Sequence, residues 1–119
     1  MGEPLLSRGV ALFNEGRYFE AHEIWEDLWR ETHGPLKTVC QGLIHAAVGL
    51  YHIQRDNKVG ARSQLRKALD KLKAHPASAP NLDVPDLISQ IAGIVDALDQ
   101  TAESGMALLQ ASEVRIRAM

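Results

Sequence analysis

Apolar residues return every three or four positions along almost the whole of this chain, and backbone breakers cut the pattern in four places. That spacing puts them on one side of a helix, whereas a half-buried strand would alternate them, and no segment alternates cleanly. The breakers are Gly16, His33-Gly34-Pro35, Asp56-Asn57 and the longer run His75-Pro76-Ala77-Ser78-Ala79-Pro80-Asn81. The first helix is expected to begin near Pro4, present Leu6, Val10 and Phe13, and end before Gly16. A second runs from about Arg17 to Glu31 and a third from Leu36 to Arg55, with Val39, Leu43, Ala46 and Leu50 buried. The fourth covers Lys58 to Lys73. After the linker, Asp83 is a suitable N-cap for a fifth helix, with Pro85 in its first turn and Leu87, Ile91, Val95 and Leu98 on its apolar face. Gly105 is expected to interrupt it, leaving Met106 to Met119 as a short sixth helix or a frayed end. Short connections make consecutive helices antiparallel neighbours. The expected architecture is therefore all-α: one domain over residues 1–119, a compact bundle of five or six antiparallel helices.

Size and charge narrow the class. A chain of 119 residues, 45% hydrophobic and 24% charged, buries a core without disulfide or metal staples. A formal net charge of −2 gives no basic field for nucleic acid, and no apolar run approaches the roughly 20 residues that span a bilayer. Cys40 is the single cysteine, which favours a reducing, cytoplasmic setting. It is expected to be a small core residue rather than a nucleophile. Arg55, Lys58, Arg62, Arg66 and Lys73 form a basic stripe beside the apolar face of the fourth helix, read as solvated decoration.

Aromatic residues are 5% of the chain, and five of them, Phe13, Tyr18, Phe19, Trp25 and Trp29, crowd together near the N-terminus; Tyr51 is the sixth. At about 100° per residue, Tyr18, His22, Trp25 and Trp29 share a stripe on the second helix, with Glu26 on its flank. Glu20, Glu23 and Asp27 point to solvent. A titratable histidine thus sits on the most aromatic face of the chain. On the third helix, Gln41, His45 and His52 form a second stripe beside the small Gly42 and Gly49. An antiparallel hairpin would bring the two stripes together.

A carboxylate buried among indole rings costs several kcal/mol unless it is paired, so Glu26 requires a partner or access to water. The candidate ligand-binding set is His22, Trp25, Glu26, Trp29, Gln41, His45 and His52. A His and a Glu at i and i+4 can also ligate a divalent metal, with His22, Glu26 and His52 as the ligand set. The string His22-Glu23-x-x-Glu26 lacks the second histidine of the zinc-protease motif. Under the metal reading the protein is a hydrolytic enzyme in which Glu23 or His45 moves the proton. The plainer alternative is a hydrogen-bonded network in which Glu26 orients His22 and fixes helix register. No glycine-rich phosphate loop, Ser-His-Asp pattern or CxxC is present.

Two resemblances enter here. Gly16-x-Tyr18-x-x-Ala21-x-x-x-Trp25-x-x-Leu28 resembles the helix-turn-helix pattern of tetratricopeptide repeats, echoed by Gly49, Ala61, Leu65 and Ala68 about forty residues later. The run from Phe13 to Trp29, with its Glu20-Ala21-His22-Glu23-Ile24-Trp25-Glu26 core, resembles the signature of the uncharacterised family called domain of unknown function 309. Gln41-Gly42-Leu43-Ile44, His52, Asn57, Gly60 and Ala61 fit its second half. The match covers about residues 4–73, ahead of the linker at about 75–82 and one or more C-terminal helices over 83–117. The resemblance implies a small prokaryotic helical bundle and marks His22, Glu23, Trp25, Glu26, Trp29, Gln41 and His52, while implying no activity, substrate or partner. Position 45 commonly carries Gln in that family, and His45 departs from it. The functional expectation is a non-enzymatic binding or interaction domain with a buried His/Glu/Gln site for a small ligand or protein partner. A homodimer through Phe19, Ile24 or surplus apolar surface on the fifth helix is a further expectation; nucleic-acid and membrane partners are not expected.

Overall fold

The computed structural model of the chain describes residues 4–100 and 114–119. Five helices follow in order: α1 (Leu5–Asn14), α2 (Tyr18–Glu31), α3 (Pro35–Gln54), α4 (Lys58–Ala74) and α5 (Val84–Gln100). The first four lie within a residue or two of the segments their apolar periods predict, and α5 starts where Asp83 and Pro85 place it. There is no strand among the described residues, and one isolated antiparallel bridge joins Leu82 to Ala118. The expected break at Gly105 and the first part of the expected sixth helix, residues 106–113, lie outside the described residues. Residues 114–119 are extended rather than helical.

The breakers act by distinct means. Gly16 adopts a φ of 80° and Asp56 a φ of 56°, left-handed conformations that let the chain reverse within three residues. Pro35 takes the first helical position of α3, where its missing N–H removes nothing. Asn57 caps α4 by accepting the Gly60 N–H at 2.9 Å, and Asp83 caps α5 by accepting the Asp86 N–H at 3.1 Å, satisfying donors that a helix start leaves open.

Neighbouring helices run antiparallel, as the order of their contacts shows. Phe13 meets Tyr18, with ring centroids 5.1 Å apart, while Trp25 lies on Phe13 and donates to the Leu6 carbonyl further back along α1. Phe19 meets Tyr51 and Trp29 meets Lys37, which reverses the order along α3. Between α3 and α4, Gly42 faces Leu72 and Gly49 faces Leu65. A Cβ at Gly42 would lie 2.8 Å from Leu72 Cδ2 and 3.2 Å from its backbone nitrogen. Two glycines two turns apart thus let the α4 backbone settle against α3. Arg62 and Arg66 then join α4 to α5 through Asp99, at 2.6 and 2.9 Å, so two members of the basic stripe serve a tertiary ion pair.

A hydrophobic core contains residues from all five helices, among them Phe13, Trp25, Leu43, Leu65 and Ile91, and it takes in Val114 and Ile116. No buried polar or charged residue is found among the described residues. Among the described residues, no helix is long and apolar enough to cross a membrane.

Candidate functional site

The second helix presents different residues to its two neighbours, and this decides what its aromatic stripe becomes. Tyr18, Ala21 and Trp25 turn into the core and are buried. Trp25 lies over Gly9 of α1, with its indole nitrogen where a Cβ on Gly9 would stand. Its Nε1–H donates to the Leu6 carbonyl at 3.3 Å and its ring tilts against Phe13 at 5.8 Å. A buried indole needs both a large flat surface and one acceptor, and α1 supplies both. Trp25 and Tyr18 therefore serve the core, not walls around His22 as their shared stripe suggests.

His22 sits on the other flank. Its ring meets Phe19 edge-on, with centroids 5.0 Å apart. Nδ1 lies 2.8 Å from the Phe19 carbonyl, an oxygen that only accepts, so Nδ1 carries a proton. Nε2 lies 2.8 Å from Glu26 Oε1, a contact that also needs a proton between its atoms. Both ring nitrogens of His22 are thus engaged, one by the helix backbone and one by Glu26. The second Glu26 oxygen faces Arg30 Nη2 at 3.7 Å, and Arg30 Nη1 lies 2.7 Å from Asp27. Glu26 is 42% exposed, so it solves its desolvation problem with water as well as with partners, rather than lying buried among indole rings.

Across the gap, α3 contributes Gln41, Ile44 and His45. Together with Glu26, Trp29 and Arg30 they line an open cleft of about 200 Å³ between α2 and α3. One wall is apolar, made by the Trp29 ring and Ile44, and the rim is polar. Lys37 Nζ stands 4.2 Å from the centroid of the Trp29 ring, a cation–π contact that fixes the indole at the edge of the cleft. His45 Nδ1 lies 2.7 Å from Gln64 Oε1 on α4. With the amide placed this way Nδ1 donates, and in that tautomer Nε2 is the accepting nitrogen.

Of the seven residues marked from sequence, Glu26, Trp29, Gln41 and His45 line this cleft, and His22 supports it through Glu26. Trp25 turns away into the core. His52 belongs to the last turn of α3, where Nδ1 meets Asn57 Nδ2 at 3.2 Å and its carbonyl accepts the Asn57 N–H at 2.8 Å. It helps to close the α3–α4 turn. His22, Glu26 and His52 are each engaged in other contacts, and no group of three His, Cys, Asp or Glu side chains suited to a metal ion occurs among the described residues. Glu23 is exposed, as its position on the wheel predicts. Arg30 and Ile44 are the lining residues that the sequence reading missed. Arg30 was legible as the i+4 partner of Glu26, and Ile44 as the i+3 neighbour of Gln41.

Burial pushes the Cys40 thiol up to about 11, which keeps it protonated and unreactive. Burial also raises the Tyr18 hydroxyl. Neither belongs to the cleft.

Residues 6–64, which carry both walls of the cleft, match the family model described as Domain of unknown function (DUF309). A curated relative, the uncharacterized protein YpuF of Bacillus subtilis (strain 168), is 36% identical over 66 residues, or 55% of this chain. The matched stretch spans 38% of that relative's length.

Proposed function

We propose that this chain, which belongs to the DUF309 family through residues 6–64, is a non-enzymatic binding domain whose α2–α3 cleft takes a small, flat, partly polar ligand. The observation that carries this reading is the lining: one half-buried indole beside Ile44, ringed by Glu26, Arg30, Gln41 and His45 from two helices. An apolar wall with a few convergent polar groups is what small-molecule sites share. In this reading the ligand lays a ring or acyl plane on Trp29 and Ile44. Gln41 offers both a donor and an acceptor, His45 an acceptor, and Arg30 a donor fork. The His22–Glu26 pair holds a carboxylate oxygen at the rim in a fixed place, because His22 is itself anchored on the helix backbone. A volume of about 200 Å³ suits a single ring with one or two polar substituents rather than a dinucleotide. The rest of the described chain, residues 65–100 and 114–119, works with this segment as one unit, a reading supported by a core drawn from every helix.

Nicotinamide and benzoate, a flat amide and a flat carboxylate, are direct probes. Titrated into ¹⁵N-labelled protein, at least one should move the Trp29 indole N–H resonance saturably and leave that of Trp25 in place. Glu26→Gln, which keeps shape and removes charge, should alter that titration, weakening it for nicotinamide and strengthening it for benzoate, while the helical circular dichroism spectrum is unchanged. Were Glu26→Gln to unfold the chain while neither probe binds, the His22–Glu26 pair would be a register-fixing contact and the cleft would carry no ligand.

A further inference from the structure

The segment 114–119 is held in a manner unlike any other among the described residues. Side-chain amides from two distant helices read its backbone. Asn14, at the end of α1, donates from Nδ2 to the Ile116 carbonyl at 2.9 Å and accepts the Ile116 N–H on Oδ1 at 2.8 Å. Gln90, on α5, does the same for Arg115, at 2.7 and 2.9 Å. Successive residues of an extended chain turn their N–H and C=O to opposite edges, so the two amides grip the segment from its two sides, each standing in for a neighbouring strand. Further along, the Asp83 N–H donates to the Arg117 carbonyl, and the Met119 N–H donates to the Asn81 carbonyl, both at 2.9 Å. Val114 and Ile116, two positions apart and hence on one face, are 4% and 3% exposed, whereas Arg115 and Arg117 between and after them are exposed. Main-chain bonds on both edges with pockets for alternate side chains are how extended peptides are recognised.

Everything this seat recognises is carried by the segment itself. The seat's groups are far from it in sequence: Asn14 is 102 residues from Ile116 and Gln90 is 25 from Arg115. Residues 101–113 separate it from the end of α5, a length of chain that extended would reach roughly 45 Å, against bundle cross-dimensions of 26 and 23 Å. We propose that the seat formed by Asn14, Asn81–Asp83 and Gln90 is an exchangeable interface, and that its second occupant is residues 114–119 of another copy of this chain. The same hydrogen bonds and the same two apolar anchors form in either arrangement, so the balance between them is set by concentration and by the connecting residues. In the intact chain the local segment competes at an effective concentration in the millimolar range. Exchange is therefore exposed by separating seat from segment.

Two full-length variants do this. Asn14→Ala with Gln90→Ala breaks the seat and keeps the segment; Val114→Asn with Ile116→Asn breaks the segment and keeps the seat. Each alone should sediment at the mass of one chain, 13.1 kDa, and an equimolar mixture should form a one-to-one complex of twice that mass. A synthetic peptide of residues 112–119 should dissociate the complex. A mixture of two folded variants that stays at the single-chain mass overturns the proposal. So does loss of the helical spectrum in the segment variant, because that would make 114–119 an inseparable part of its own chain's core.

Discussion

Trp25 and Trp29 stand one turn apart on α2 and meet opposite fates. Trp25 is fully buried, with its ring on a glycine and its N–H on a backbone carbonyl. Trp29 stays half-buried at the rim of a cleft, held by a lysine, with polar groups around it. The α1–α2 contact closes on a buried indole, and the α2–α3 contact is parted at one end by a cleft with a polar rim. An indole locked on every side contributes to stability and offers nothing to a second molecule. An indole with one free face contributes less to stability and keeps surface for binding.

The comparison breaks most sharply at Trp25. Trp25→Ala should cost about 3–5 kcal/mol in denaturant unfolding, the range for deleting a large core aromatic. Gly9→Ala attacks the same contact from the other side. Its new methyl must displace the indole, and a loss of about 1–3 kcal/mol is expected, visible as a lower urea midpoint at unchanged slope. A third test uses pH. Cys40 and Tyr18 are held above their ordinary values by burial, so the folded chain keeps protons that the unfolded chain releases. Their contribution is complete below the ordinary thiol value of 9.0 and is lost as pH rises towards about 11. Stability should fall over that window, by on the order of 1–2 kcal/mol for the thiol, and Cys40→Ala should flatten part of the slope. The smallest effect belongs to the open side: Trp29→Ala should cost about 1 kcal/mol or less while abolishing the benzoate or nicotinamide titration. A Trp29→Ala loss as large as that of Trp25→Ala would erase the distinction between the two faces.

How far the sequence reached differs between fold and site, for a physical reason. Helix existence and extent follow from local period and local breakers, so α1 to α5 are readable from residues such as Gly16, Pro35, Asn57 and Asp83. The cleft depends on which neighbour each face of α2 meets. A helical wheel assigns Tyr18, His22, Trp25 and Trp29 one stripe; Gly9, on a different helix, draws Trp25 to one side, while Glu26 and Arg30 stay on the other. His52 shares a stripe with Gln41 and His45, but that stripe runs for three turns and a cleft occupies one end of it. The seat of residues 114–119 was beyond pattern reading altogether, because nothing local distinguishes Asn14 or Gln90 from any exposed amide.

The three-residue connections between the first four helices bear on how the chain reaches this state in time. Each of the hairpins α1–α2, α2–α3 and α3–α4 pairs residues that are close in sequence, so little chain entropy is spent in bringing them together, and such contacts form on microsecond to millisecond scales. The Asn14–Ile116 bond closes a loop of 102 residues and gains from its partners only when α1 and α5 are already in place. Refolding should accordingly show a fast phase carrying the helical signal and a later one carrying amide protection at Arg115 and Ile116. Residues 114–119 would then be the last to settle on the bundle and the first to leave it.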